Sequence, residues 1–302
     1  MIKPNEIAAV VVLYHPDDSV IANLNSYINQ VEVIYAIDNT ENDHVNAQFL
    51  TELKKNKKII YRPNNENLGI ATALNIGARN AIQSGCKFLL TMDQDSHASE
   101  TMVDDLINCE AALNLSCLGI LSPFHYTKIT RFFSPSAKVD YVLTVWTSGS
   151  LVNLEAYKRV GPFNEDLFID FVDHEYCLRL NLAGFKVFKV YNAILHHEIG
   201  TNITRNKFLG LPFFIASNHS ALRRYYITRN RFYLAAQMGG NFPLFFLADK
   251  RKFVGELLTI LLFEEDKFNK FKMILRGYSD YRKKKLGKFQ PDDSEKQEMT
   301  NA

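Results

Sequence analysis

The sequence has little that would commit it to nucleic acid, a membrane span or a disulfide frame. Its 35 Lys+Arg and 33 Asp+Glu leave a formal charge of +2. No global positive field therefore speaks for a nucleic-acid partner. The four cysteines, Cys86, Cys109, Cys117 and Cys177, have no Cys-x-x-Cys spacing. That excludes a zinc knuckle and predicts reduced core thiols of a cytosolic protein. No run of about 18 apolar residues occurs, so no spanning helix is expected. The opening Met1-Ile-Lys-Pro-Asn-Glu6 lacks a basic region followed by an apolar core, which predicts no signal peptide. A P-loop is missing, and so is a Gly-x-Gly-x-x-Gly after the first apolar run. If a diphosphate is bound, a metal is then its natural clamp. No internal repeat is found, and the only biased stretch is the polar tail after Lys288.

What is present is ordinary globular composition: 302 residues, 47% hydrophobic and 23% charged. That is enough for one large domain or one and a half. Ile7 to Tyr14 is a continuous β-branched run that reads as a central parallel strand, broken by His15-Pro16. Val31 to Ile37 and Lys57 to Tyr61 predict two further strands, with a helix from Ile70 to Gln83. Phe88 to Met92 predicts a fourth strand, which ends in Asp93 and Asp95. Strand–helix alternation with short links predicts a βαβ-type sheet. Ligands of such sheets sit beyond the carboxyl ends of the strands. Two carboxylates one residue apart in an extended segment point different ways, so one can hold a hard cation while the other accepts from a hydroxyl. Alone, they read equally as a solvated loop. Tyr14, Asp38, Asn67 and Asp95 follow apolar runs or open the next helix; on adjacent parallel strands they share a rim. Asp38 could then take a base N–H or a ribose hydroxyl and Tyr14 could stack on a base, or Asp38 could cap a helix and Tyr14 lie in the core.

Farther on, residues 99 to 112 read as helix, Cys117 to Leu121 as strand and Phe124 to Val145 as hairpins. Trp146-Thr-Ser-Gly-Ser150 supplies hydroxyls and, at Gly149, room for backbone to approach a ligand; a plain turn is the alternative. A second acidic cluster gathers Asp170, Asp173 and Glu175 before the helical Tyr176 to Ala183. Asp173 then lies near a helix N-terminus, which favours its ionised form. It could take a proton from an attacking hydroxyl, or the three acids could only balance the first turn. A strand is expected near Lys186 to Val190; after it, in Ala193 to Gly200, His196 and His197 stand at a strand end, and His197 could complete a metal site with Asp95.

These residues resemble the inverting GT-A glycosyltransferases of family 2, and within them the rhamnosyltransferase branch. The likeness rests on Val11-Val-Leu-Tyr-His-Pro16, Asp38-Asn-Thr40, Asn67-Leu-Gly-Ile-Ala71 with Asn75 and Gly77, and Leu90-Thr-Met-Asp-Gln-Asp-Ser96. It continues in Thr147-Ser-Gly-Ser150, Phe168 to Arg179, His196-His-Glu-Ile-Gly200 and Arg224-Tyr-Tyr-Ile-Thr-Arg-Asn-Arg231. The resemblance implies an α/β fold: a GT-A, Rossmann-like, mixed and mostly parallel sheet flanked by helices, with a helical C-terminal extension. It implies Asp173 as catalytic base, with Trp146, Gly149, Asp170 and Glu175 on the acceptor side. Tyr14, Asp38, Asn67, Gly69, Asn75, Asp93, Arg229 and Asn230 would serve the donor. Asp95 and His197 would hold Mg²⁺ or Mn²⁺. Many relatives have Glu-Asp where this chain has Val172-Asp173, so Asp170 and Glu175 remain rival bases. The implied donor is dTDP-β-L-rhamnose and the implied acceptor a saccharide or lipid-linked saccharide. A dTDP- or UDP-sugar of another kind, a nucleotidyltransferase and a non-catalytic nucleotide- or carbohydrate-binding protein are the alternatives.

The expected organisation is a catalytic domain over residues 1–204, with a nucleotide half to about 97 and an acceptor half from about 98, then an extension over 205–288 and a disordered tail over 289–302. The extension mixes short apolar runs with lysines, which suits either a membrane surface or packing against the catalytic domain or a second copy. The expected location is cytoplasmic, with a peripheral place on the inner face of the cell membrane left open.

Overall fold

A computed structural model describes residues 2–41, 47–127, 130, 138–197, 204–208, 211–216 and 218–291; for residue 197 and for 204–216 the description covers backbone alone. The β-branched run Ile7–Leu13 forms strand β1 at the centre of the first half, with every residue but Val12 buried. Val33–Asp38 (β2) and Phe88–Asp93 (β4) pair in parallel on its two sides, and Ile59–Pro63 (β3) extends the sheet beyond β2. Ser150–Asn153 (β8) runs antiparallel against β4. Leu118–Tyr126 (β6) follows it, then the long Lys186–His197 (β9), parallel to β6. Ser96–Ala98 (β5) and Val139–Val142 (β7) both pair antiparallel with β9. The result is a mixed, mostly parallel sheet in the order β3-β2-β1-β4-β8-β6-β9-β5.

Alternation along β1 divides the core. Ala9, Val11 and Leu13 face one layer with Ser19–Tyr27 (α1), Ala47–Leu53 (α2) and Met102–Ile107 (α4). Ala8 and Val10 face the other, with Ile70–Gln83 (α3), Leu154–Val160 (α5) and Val172–Leu182 (α6). Because successive strand side chains point to opposite faces, both faces of this sheet must be apolar to be covered by helices. Helix α3 sits close enough on β1 that a Cβ on Gly77 would lie 2.3 Å from Val10 Cγ2.

Two expectations change. Among the described residues of Phe124 to Val145, the strands pair elsewhere rather than with each other: Phe124–Tyr126 continues β6, and Val139–Val142 joins β9. A strand as long as β9 offers ladder partners along both edges, which outcompete a local turn. The extension is also not wholly helical. Thr204–Phe208 (β10) and Leu211–Ala216 (β11) form an antiparallel pair before the helices. Ala221–Met238 (α7), Pro243–Phe263 (α8) and Lys267–Arg282 (α9) follow. The four cysteines are free thiols, Cys86 and Cys177 buried and the other two half-buried.

Gly77→Ala should therefore overpack the α3–β1 contact and lower stability by about 1–3 kcal/mol. Urea denaturation reads this directly; an unchanged midpoint would show that α3 can move off the sheet at no cost.

Candidate active site

Strands β3, β2, β1 and β4 end on one side of the sheet, and antiparallel β8 begins there, with Ser150 opposite Thr91. This places the ends of β1 and β4, the 146–150 turn and the start of α6 along one rim. Tyr14 is 43% exposed on it. Gln94, which the sequence did not single out, ties two of these ends together. Its Oε1 accepts from Tyr14 N–H (2.8 Å) and its Nε2 donates to the Tyr14 carbonyl (3.1 Å). Asn23 Nδ2 donates to the Gln94 carbonyl (2.9 Å). The acidic pair is thus set by backbone clamps on either side: Asp93 N–H donates to Ser148 Oγ (3.1 Å), and Asp95 is exposed just before β5.

The 146–150 turn is fastened to β4. Gly149 N–H donates to the Thr91 carbonyl (2.7 Å), and Thr91 Oγ1 donates to the carbonyls of Thr147 (2.5 Å) and Ser150 (3.0 Å). Ser148 Oγ also meets Ser96 Oγ at 2.8 Å, and His125 Nε2 donates to the Ser148 carbonyl at 2.8 Å. His125 packs edge-on against Trp146 with ring centroids 4.8 Å apart. Gly149 has φ +77°, and a Cβ there would lie 2.6 Å from Pro123 and 2.9 Å from Leu195. Only glycine fits this turn's packing. Trp146 is 45% exposed at the mouth.

Asp173, in the first turn of α6, shares a small cavity with Thr91, Trp146, Thr147, Ser150 and Tyr176. Asp93 N–H is bonded to Ser148 of the same turn, so both acidic segments lie against the 146–150 turn. Burial pushes the Asp173 carboxyl up, but the His174 ring (2.7 Å to Oδ1) and the His174 N–H (2.7 Å) outweigh it and hold the group below the usual carboxylate range. Burial pushes His174 down, and Asp173 more than reverses that, so His174 titrates above an ordinary histidine.

The rival acids are otherwise engaged. Glu175 is buried and takes a two-pronged contact from Arg179, Nε to Oε1 and Nη2 to Oε2, both 2.8 Å. Arg223 grips Asp170 through Nη2 (3.1 Å) and Nε (3.3 Å). Burial nonetheless leaves the Asp170 carboxyl raised, with Arg223 opposing.

Several residues expected at the donor lie inside the protein instead. Asn75 is fully buried; it donates to the Phe163 carbonyl (2.9 Å) and Glu165 (2.8 Å) and accepts from Tyr157 Oη and Phe163 N–H (both 2.9 Å). An amide side chain with both its protons and both its lone pairs so engaged has nothing left for a ligand. Asp38 is also buried, accepting from Thr40 N–H and Tyr61 Oη (both 2.8 Å). Asn67 Oδ1 accepts from Gly69 N–H (3.0 Å) in a local turn. Gly69, at φ +84°, lies against Phe168: a Cβ there would be 2.6 Å from the Phe168 carbonyl oxygen, which accepts from Ile70 N–H (2.8 Å).

Arg229 and Asn230 are fully buried. Asn230 Nδ2 lies 2.9, 2.8 and 2.9 Å from the carbonyls of Leu167, Ile169 and Asp170. Arg229 donates to the carbonyls of Leu167 (3.0 Å), Asp166 (3.2 Å) and Gly287 (2.6 Å). The segment they hold has three non-glycine residues at positive φ: Phe168 (63°), Asp170 (61°) and Phe171 (65°). Each costs on the order of 1–3 kcal/mol and persists only under such over-determination. These two side chains therefore shape the approach to Asp173 from behind.

Among the described residues no cluster of three or more His, Cys, Asp or Glu converges on a metal position. The side chain of His197 lies outside the described residues, though its backbone pairs with Ser96, next to Asp95. Asp93 and Asp95 nevertheless fit a hard cation, because Mg²⁺ is commonly held by one or two carboxylates with the remaining positions filled by substrate phosphates and water.

Residues 9–111, which span β1 to the acidic pair and on through α4, match the model of "Glycosyl transferase family 2". This stretch matches that family's glycosyltransferase domain, and the chain is a glycosyltransferase. The transferase is similar to a dTDP-rhamnosyl transferase RfbF of Shigella flexneri, 28% identical over 255 residues, with 76% of this chain and 80% of that protein covered. Among solved structures it resembles S. aureus TarS 1–349 in complex with UDP-GlcNAc, with a TM-score of 0.55, 13% identity, and coverage of 93% of this chain and 80% of that one. It also resembles GalNAc-T7 with UDP, GalNAc and Mn²⁺, with a TM-score of 0.56 and 13% identity over 76% of this chain. The transferase spans 47% of the GalNAc-T7 chain. These two likenesses are of fold, and the fold is GT-A-like.

Two results should follow from this geometry. Asn230→Ala, which strips the proton donor from three carbonyls, should lower stability by about 2–4 kcal/mol in chemical denaturation. The ion pair of Asp173 and His174 contributes stability above the unfolded carboxyl pKa near 4 and below the unfolded imidazole pKa near 6.5. It is lost as pH falls through the depressed Asp173 value and as pH rises through the raised His174 value. NMR titration should place the His174 midpoint above about 6.5 and lower it in Asp173→Asn; a midpoint that does not move would remove the pairing.

Proposed function

We propose that this glycosyltransferase moves L-rhamnose from dTDP-β-L-rhamnose to a hydroxyl of a saccharide or lipid-linked saccharide by a single displacement that inverts the anomeric centre. The observation that carries the reading is that Asp173 and the Asp93–Asp95 segment both lie against the 146–150 turn. The choice of donor is supported by the dTDP-rhamnosyl transferase of similar sequence. Saccharide and nucleotide would lie between Tyr14 and Trp146, whose half-exposed rings flank the mouth. Asp95, with Asp93 beside it, would hold a divalent cation, Mg²⁺ or Mn²⁺, whose charge stabilises the leaving diphosphate when bound.

Asp173 is the base. Both bonds from His174 fall on Oδ1, which leaves Oδ2 to receive the acceptor proton. A carboxyl held below its ordinary range favours the ionised form and is a weak base. It therefore takes the proton late, once attack on the anomeric carbon has made the hydroxyl acidic. Arg179 on Glu175 and Arg223 on Asp170 leave those acids in structural pairs, which supports Asp173 over both.

Asp173→Asn should cut transfer by about 10²–10⁴-fold while nucleotide binding, read by calorimetry, persists. The acid limb of kcat/KM should lie below the ordinary carboxyl range, since the group's pKa is lowered. Thermal shift with a panel of dTDP- and UDP-sugars, with and without Mn²⁺, tests the donor. A metal-dependent shift with UDP-sugars alone would replace rhamnose with another donor, and retained transfer in Asp173→Asn would rule out the base.

A further inference from the structure

Helix α8 is built inside out. Its inward row carries acids: Asp249 and Glu256 accept from buried Arg231 (2.9 and 3.0 Å), and Glu264, just after the helix, accepts from Arg224 (2.7 Å) and Lys270 (3.0 Å). Its outward row carries Leu244, Leu247, Val254, Leu258 and Leu261, exposed by 80, 47, 52, 47 and 54%, with Leu262 beside them at 41%. The row follows a heptad, with Arg251 at the one position not filled by an aliphatic residue. A helix on a water-facing surface shows the reverse, with its apolar stripe inward. A contiguous exposed row of this kind marks a contact with something apolar. The exposed charges of α8 are Lys250, Arg251 and Lys252, and none of its exposed positions is acidic.

Those charges decide the occupant. In a two-fold pair the same row would meet itself. Packed parallel, Arg251 would face Arg251. Packed antiparallel about the middle of the row, Arg251 would be set against Val254 among aliphatic side chains, which is costly for a charge. The first arrangement brings like charges together and the second buries one, whereas an anionic lipid surface turns the exposed bases into attraction. Long basic side chains can also lie along apolar surface while their charged ends reach lipid phosphates. No helix among the described residues is long and apolar enough to cross a membrane, so the contact is with a surface.

We propose that the outward face of α8 docks this protein on an anionic bilayer, its leucines entering the headgroup–acyl boundary and Lys250 and Arg251 pairing with lipid phosphates. On its other side α8 sets Phe245 against the His174 ring, 5.9 Å between centroids, so the docked face lies one helix away from Asp173. The proposal does not depend on the identity of the transferred sugar.

Sedimentation of the full chain with phosphatidylcholine vesicles, with and without phosphatidylglycerol, is the test. The chain should sediment with the anionic vesicles and be released by salt. The double change Lys250→Ser and Arg251→Ser should weaken this about 30-fold, and Leu258→Ser with Leu261→Ser at least tenfold. All these positions are exposed, so circular dichroism melting should match the parent chain, which confirms that the variants fold. Equal partition into neutral and anionic vesicles, or no sedimentation, overturns the proposal. So does a dimer in light scattering that the double leucine variant converts to monomer.

Discussion

The side-chain amide of Asn230, set among three carbonyls of the 167–170 segment, is the contact on which the acidic half of the cleft depends. Left to itself, a chain with Phe168, Asp170 and Phe171 in the left-handed region would relax, because a β-carbon is crowded there. Arg229 adds bonds to the carbonyls of Leu167 and Asp166, and Gly69 lets helix α3 approach Phe168 from the other side. The segment is pinned from two elements distant in sequence, and the turn it is forced to make delivers Asp173 into the first turn of α6.

The opposite wall is secured by a second set of backbone contacts. Thr91, Ser148 and Gly149 bind β4 to the turn before β8, and Gln94 binds the end of β4 to the end of β1. Neither wall relies on a long ion pair across solvent. The charged groups that do pair, Glu175 with Arg179 and Asp170 with Arg223, lie to the side and behind, where they neutralise acids that would otherwise repel Asp173. Such pairs add little net stability when partly exposed; their effect here is to give Asp170 and Glu175 cationic partners of their own.

Much of the sheet was legible because strands buried on both faces are written as continuous apolar runs. Helix α3 coincides with the expected Ile70 to Gln83, since Gly69 before it and Gly85 after it bracket a helical pattern. The position of Asp93 and Asp95 at a strand end was legible for the same reason. The tasks of Asn75, Arg229 and Asn230 were not. Their partners stand far away in sequence, Phe163 for Asn75 and Leu167 for Asn230, and a polar residue within a helix looks alike whether it meets solvent, ligand or a strained loop. Gln94 lay inside the stretch of interest, but its task needed β1 and β4 to be neighbours before it could be seen. The charged interior of the extension was hidden too, because apolar and basic residues on α8 suggest an ordinary amphipathic helix until the direction of each face is known.

By itself the sequence determined the alternation of strand and helix, the apolar faces of the sheet and the residue types at the strand ends, since these are local consequences of side-chain branching and hydrophobic period. Tertiary structure alone decided which acid stands open to the cleft, which amides brace a strained segment and which way α8 turns its leucines. Those outcomes depend on hydrogen-bond and charge partners brought together across long stretches of chain, and a donor's partner is settled only once the fold has placed every competing acceptor.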